Sequence, residues 1–197
     1  MQPAPIPSNE SDRITSLKKL KILDTPPEER FDRITKLATR VFSVPISTIT
    51  LVDANREWFK SVCGLDATEG DRAVSFCGHA LLEDEILIIP DAKKDPRFSD
   101  NPMVVGEPFI RFYAGAPIFS ADGARIGTFC IKGHDPREFS DDEKETLKEM
   151  IREVIEDVLH ENGLLIESET KSNDIFKFRV GDHIFEGKVT KIKKVSK

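Results

Sequence analysis

The chain has 197 residues, 39% hydrophobic and 32% charged, with 29 Lys and Arg against 35 Asp and Glu, so its net charge is −6. That length suits one ordinary domain plus a tail, and the acidic balance argues against the nucleic-acid backbone or an anionic membrane as main partner. No run approaches the roughly 18 apolar residues of a membrane helix. The N-terminus "MQPAPIPSNESD" lacks the regions of a signal peptide, and three cysteines do not suggest a disulfide framework, so a reducing cytoplasm is the expected compartment.

The first ten residues, Pro-rich and polar, read as a flexible arm. A short helix is expected over 11–23, around Ile14, Leu17 and Leu20. Thr25 with Glu28 forms a capping-box pattern, with Pro26 at the first helical position. Phe31, Ile34, Leu37, Ala38, Val41 and Phe42 then share one helical stripe. "ISTITLVD" (46–53) is a β-branched strand, and "EWFKSVCG" (57–64) returns as its hairpin partner. A loop follows, then a short helix in "SFCGHALLED" and a short strand over 86–90. Residues 91–108 form a long polar loop with three prolines, of a length often tied to function. "FIRFYAGAPIFS" and "ARIGTFCIK" are two strands joined by Ala-Asp-Gly-Ala. Ser140 with Glu143 starts a last helix, with Leu147, Met150, Ile151, Val154, Ile155, Val158 and Leu159 on one face and a stop at Asn162-Gly163.

The fold class expected is therefore α+β: a mainly antiparallel sheet of five to six strands, covered on one face by terminal helices. The domain should run over 11–163. The remainder, 164–197, is a basic tail with eight Lys and Arg against five Asp and Glu, and it reads as a β-hairpin turning at Gly181-Asp182. A lone hairpin is marginally stable, so the tail is expected to dock on the domain or on a protein partner.

Chemistry-bearing residues are sparse. Cys77 and His79 stand two apart in "SFCGHALLEDE". A zinc site needs about four ligands in closely spaced pairs, and no second pair exists here. On a helix, residues two apart point in nearly opposite directions, so the thiol and the imidazole should not touch. Packing is the expected role of Cys77, Cys63 and Cys130. Walker, dinucleotide, nucleophile-elbow and His-Glu-x-x-His signatures are all missing. Arg111 and Tyr113 share one strand face. An inward Arg there would pair with Asp91 or clamp an anionic ligand.

The chain resembles a GAF domain of the kind found at the front of many bacterial sensor kinases and diguanylate cyclases. "LKKLKILDTPPEERFDRITKLATRVF", "ITLVDANREWFKSVCGLD", "SFCGHALL", "IPDAKKDPRFSDNPMVVGEPFIRFYAGAPI", "GARIGTFCIK" and "PREFSDDEKETLKEM" carry the resemblance, over about residues 11–160. It implies a central antiparallel sheet with terminal helices on one face and a small-molecule pocket, closed by loops, on the other (a GAF/PAS-like fold). It also implies a structural or pocket-lining role for Cys77 and His79. One position departs: Gly133 stands where the subgroup usually has Asp. The nucleotide-binding and bilin-attachment signatures of other GAF relatives are absent.

Taken together, the sequence points to a small-ligand sensor or regulatory module for signal transduction, with no effector expected in the 30 residues after the last helix. It is not expected to be an enzyme or to need a cofactor or metal. The alternatives are a thiol-dependent enzyme of the free methionine-R-sulfoxide reductase type and a dimerisation scaffold with no ligand. Against the enzyme, "FYAGAPI" stands where its cysteine segment is expected. The ligand site is expected between the sheet face bearing Arg111 and Tyr113 and a lid made of 75–82 and 91–108. Trp58, Phe76 and Phe98 would supply apolar walls, Cys77 and His79 the lid base, and Asp91 and Arg111 the charge. The ligand is expected to be anionic. A homodimer is expected from the 4-3-4 spacing of Leu147, Ile151, Val154 and Val158.

Overall fold

The computed structural model describes residues 1–161, 175–180 and 183–188. Two helices come first, α1 (Glu10–Lys19) and α2 (Glu29–Val41), then the hairpin β1 (Ile46–Val52) and β2 (Arg56–Cys63). A short strand β3 (Glu69–Asp71) and a 3₁₀ turn (Arg72–Val74) lead into α3 (Phe76–Ala80). Next are β4 (Leu87–Ile89), α4 (Pro102–Val105), β5 (Phe112–Phe119), β6 (Arg125–Gly133) and α5 (Asp141–Glu161). The six strands make one sheet in the order β3-β2-β1-β6-β5-β4, antiparallel throughout. The α+β class expected from the sequence is the class observed.

Strand alternation divides the side chains into two layers. Ile49, Leu51, Trp58, Phe112, Ala114, Phe129 and Ile131 face the long helices and pack with Leu17, Phe31, Ile34, Ala38, Leu147, Val154 and Val158. Val52, Tyr113 and Cys130 face the other way and pack with Phe76, Cys77, Phe98, Val104 and Ile110. Covered on both faces, β1 is buried along its whole length.

Three local expectations are revised. Thr25 and Glu28 do not make a capping box: α2 starts at Glu29 and Glu28 caps nothing with its side chain. Instead Thr25 donates to the Ile22 carbonyl, 2.7 Å, while Glu28 pairs with Lys60. The two prolines hold the chain extended there and delay the first helical turn. Leu37 and Val41 are exposed, because Thr35 takes the buried side of α2 and bonds Ser61, 2.9 Å. The loop after β2 contains β3, whose Glu-Gly-Asp carries no strand signal of its own and is held by pairing with β2.

The last helix does begin in a capping box: Glu143 N–H donates to Ser140 Oγ, 3.3 Å, and Ser140 N–H to Glu143 Oε2, 2.9 Å. In the tail, β7 (Ile175–Val180) and β8 (His183–Lys188) pair antiparallel. The helix stop at Asn162-Gly163 and the hairpin turn at Gly181-Asp182 lie outside the described residues.

Candidate functional site under the lid

The sheet face away from the long helices would be expected to be apolar. It carries a polar cluster instead. On β1, Thr48 and Thr50 lie opposite Cys130 and Thr128 of β6; Lys132 lies opposite Tyr113 of β5; Glu57 lies beside Val52. Register alone thus gathers three threonines, a thiol, an ammonium, a phenol and a carboxyl on one face. All are buried, Thr48, Thr50, Cys130 and Tyr113 completely.

The roof is α3 with its flanks. Ser75 caps α3 by accepting from Gly78 N–H, 3.0 Å, and donates its own hydroxyl to Glu57. Cys77, the second residue of α3, points at the sheet. Its sulfur lies 3.6 Å from Cys130 Sγ and 3.6 Å from Thr50 Oγ1, and Tyr113 donates to it at 3.7 Å. Cys130 Sγ is 3.1 Å from the Thr48 hydroxyl. Gly115 makes room for this: a Cβ there would lie 2.4 Å from the Tyr113 hydroxyl oxygen and 2.7 Å from Cys130 Cβ. Beside the polar group, Phe76 stacks on Phe98 at 4.2 Å and on Tyr113 at 5.3 Å, and His79 meets Phe98 edge-on at 4.8 Å.

Burial and neighbours set the protonation states. Burial first, then the nearby Cys77 sulfur, raises Glu57 to about 8, against the Lys132 cation and the Ser75 hydroxyl. The carboxyl is therefore neutral at pH 7. Burial also pushes Cys77 and Tyr113 up. Cys130 moves the other way. Burial opposes its charge, but the thiol bond from Cys77, the Lys132 ammonium and the Thr48 hydroxyl outweigh that and hold it below the usual thiol range. Burial lowers Lys132, yet the attraction of Cys130, Cys77 and Glu57 raises it further, so it keeps its charge. A buried cation needs a buried counter-charge, and these directions place it on Cys130.

Five of the eight residues expected at a ligand site come together here: Phe76, Cys77, His79, Phe98 and Tyr113. Trp58 does not. It faces α2, in the layer with Phe31. Arg111 points toward the lid, where its Nη1 donates to the carbonyls of Val104, 2.8 Å, and Ile110, 3.0 Å. Asp91 sits at the rim, paired with Lys94 at 3.1 Å. Its carboxyl, raised by partial burial, is brought below the usual range by Lys94, the Lys93 amide and the Arg111 charge. Asp91, Lys94, Asp95 and Arg137 line an open surface cavity of about 650 Å³. Glu57, Thr48, Thr50 and Lys132 were missed. Alternation of Thr128, Cys130 and Lys132 along β6 was the available signal. Packing is the role expected of Cys77 and Cys130; both are buried, yet both sulfurs lie among polar groups, and Lys132 shares the strand face of Cys130.

The residues expected as a flexible arm lie along this roof. Gln2 N–H donates to the Arg97 carbonyl, 3.1 Å, and His79 Nε2–H donates to the Gln2 carbonyl, 3.1 Å. The terminal ammonium pairs with Asp100, and Ala4 is buried against Gly78. Among the described residues no group of three His, Cys, Asp or Glu could hold a metal.

A family model described as GAF domain matches residues 26–156. The cyclic di-GMP phosphodiesterase PA2567 of Pseudomonas aeruginosa is 41% identical over 137 residues, covering 70% of this chain and 23% of that protein. The chain thus matches about a quarter of that relative's length. Among solved structures, the GAF domain of an Acinetobacter phosphoenolpyruvate-protein phosphotransferase superposes with a TM-score of 0.56 at 16% identity, over 78% of this chain and 96% of that one. The free methionine-R-sulfoxide reductase of Neisseria meningitidis, in complex with its substrate, superposes with a TM-score of 0.57 at 14% identity, over 84% of this chain and 100% of that one. At such identities the likeness is one of fold.

Proposed function

The chain belongs to the GAF domain family, and from that premise we propose that it is a sensory module whose small-molecule site is the polar cluster between the sheet and the lid. One observation carries the proposal: Lys132, Glu57, Cys130 and Tyr113 are buried where apolar side chains would pack at lower cost. Groups of this kind under a lid suit a ligand that replaces their lost water. The cation on this sheet face is Lys132, so the ligand is a small anion, or a molecule with an anionic end, that shares the ammonium with the Cys130 sulfur. The module then reports occupancy to a signalling effector of the sort the phosphodiesterase relative carries. Cytoplasmic location and a protein partner at the tail belong to the same proposal. No helix among the described residues is long and apolar enough to cross a membrane.

Thermal-shift screening of the full chain against anionic metabolites tests this. A ligand at a hundred times its Kd should stabilise by about 2.7 kcal/mol, and Lys132→Met should remove the shift. If no anion stabilises the protein, or the shift survives Lys132→Met, the assignment fails. The reductase reading keeps one supporting observation, the 3.6 Å approach of two thiols. Turnover of free methionine-R-sulfoxide, lost in Cys130→Ser, would favour it over the sensor.

A further inference from the structure

We propose that Cys77 and Cys130 are an oxidisable pair, closed to a disulfide by a small hydroperoxide, and that the bond pins the lid helix to the centre of the sheet. Two buried sulfurs 3.6 Å apart need to approach by only about 1.6 Å to reach disulfide length. One sits on α3, five residues long, and the other on β6, hydrogen-bonded to strands on both sides. The bond would join the short lid helix to the central strands of the sheet. Three neighbours favour a thiolate in the pair: Lys132 supplies a cation, Thr48 contacts Cys130 at 3.1 Å and Tyr113 donates to Cys77 at 3.7 Å. The proposal stands whether or not the site takes a ligand.

Atoms and charges balance within the cluster. The Cys130 thiolate attacks the distal oxygen of ROOH; the O–O bond breaks and the S–O bond of a sulfenic acid forms. RO⁻ takes the proton held by Glu57 and leaves as ROH. Cys77 sulfur then attacks Cys130 sulfur, the S–O bond breaks, and the hydroxide leaves as water with the Cys77 proton. Two electrons have passed from the thiols to the peroxide. Before the reaction the charge opposite Lys132 is on Cys130; afterwards it is on Glu57. The ammonium keeps a counter-charge throughout, which gives Glu57, Lys132 and the two thiols a common reason to be buried together.

Cys63 is the internal control, since it lies half-buried at the end of β2, 3.9 Å from Thr39. The reduced full chain is treated with hydrogen peroxide at pH 7, denatured, labelled with N-ethylmaleimide and mapped by mass spectrometry. The expected product is 2 Da lighter, carries one label, on Cys63, and yields a linked Cys77–Cys130 peptide; dithiothreitol restores three labels. Three labels after peroxide, or linkage through Cys63, would overturn the proposal. Lys132→Met should slow the reaction about tenfold or more. If that variant does not fold, the wild-type rate decides: it should already be near its plateau at pH 7, where an ordinary thiol is still rising, and a rate that climbs to pH 8.5 like a free thiol counts against the pair.

Discussion

Glu10 shows how much one surface carboxylate can organise. It opens α1, where an anion meets the positive end of the helix. Arg13 donates to it twice, at 2.7 and 2.8 Å, and Arg72, just before the lid helix, donates at 2.5 and 3.2 Å. Arg13 continues to the Val52 carbonyl at 2.7 Å, so one carboxylate links α1, β1 and the entry to the lid. Partial burial raises the Glu10 carboxyl, but the two guanidinium groups win and bring it down from 4.5 to about 2. Its folded pKa is depressed, so its contribution is complete above pH 4.5 and fades as the pH falls towards 2. The full shift would be worth about 3 kcal/mol; with solvent screening about 1–2 kcal/mol is expected. Glu10→Gln should therefore cost about 1–2 kcal/mol in denaturant unfolding at pH 7, and the deficit should close by pH 2. A deficit that is the same at both pH values would mean that packing, not charge, holds the N-terminus of α1. The Glu10–Arg13 spacing is legible on a helix, but the Arg72 contact is not, because it joins residues 62 apart. Lys132 was closer to legible: its place on the Tyr113 face follows from strand alternation once β5 and β6 are paired.

At the scale of elements, α3 depends on what lies above it. Its five residues form too short a helix to persist alone. Ser75 caps it, Phe76 anchors it in the aromatic stack, and the N-terminal residues cross over it. Gly78 is the point of closest approach, since a Cβ there would lie 2.7 Å from Ala4 Cβ. The obstacle belongs to the chain terminus, which can yield without disturbing the sheet. Gly78→Ala should displace the arm, break the Gln2–Arg97 and His79–Gln2 bonds, and expose the lid edge while the domain stays folded. Labelling of native Cys77 by a small maleimide should then be severalfold faster than in the wild type, with little change in the unfolding midpoint. An unchanged rate would show that the arm does not restrain the lid. The sequence marked 75–82 and 91–108 as lid segments but left the arm aside, because a Pro-rich terminus has no periodicity to reveal a docking surface. Helices and long strands were readable because each carries a repeat of 3.6 or 2. The brief strand β3 and the failed capping box at Thr25 are decided by partners distant in sequence.

At the scale of the molecule, both hairpins could be read from their turns, whereas the junction between them could not. β1 pairs with β6 across some 80 residues, from Ile46 opposite Lys132 to Leu51 opposite Gly127, and that pairing is what makes one sheet and one lid-covered face. It also settles where the apolar stripe of α5 goes. Leu147, Met150, Ile151, Val154, Ile155 and Val158 are all buried within the chain itself, so the 4-3-4 spacing that suggested a helical seam is accounted for by the monomer core. A homodimer therefore needs a different surface, and α2 offers one: Leu37 is 46% exposed and Val41 49%, one turn apart on the same side. Neither belongs to the helix-face core, so replacing both with Lys should change stability by no more than about 0.5 kcal/mol. If the protein pairs through α2, light scattering at high concentration should give twice the chain mass for the wild type and the chain mass for Leu37→Lys/Val41→Lys. A wild-type protein that stays at the chain mass would leave the homodimer without support, and a dimer that survives the double substitution would move the interface off α2.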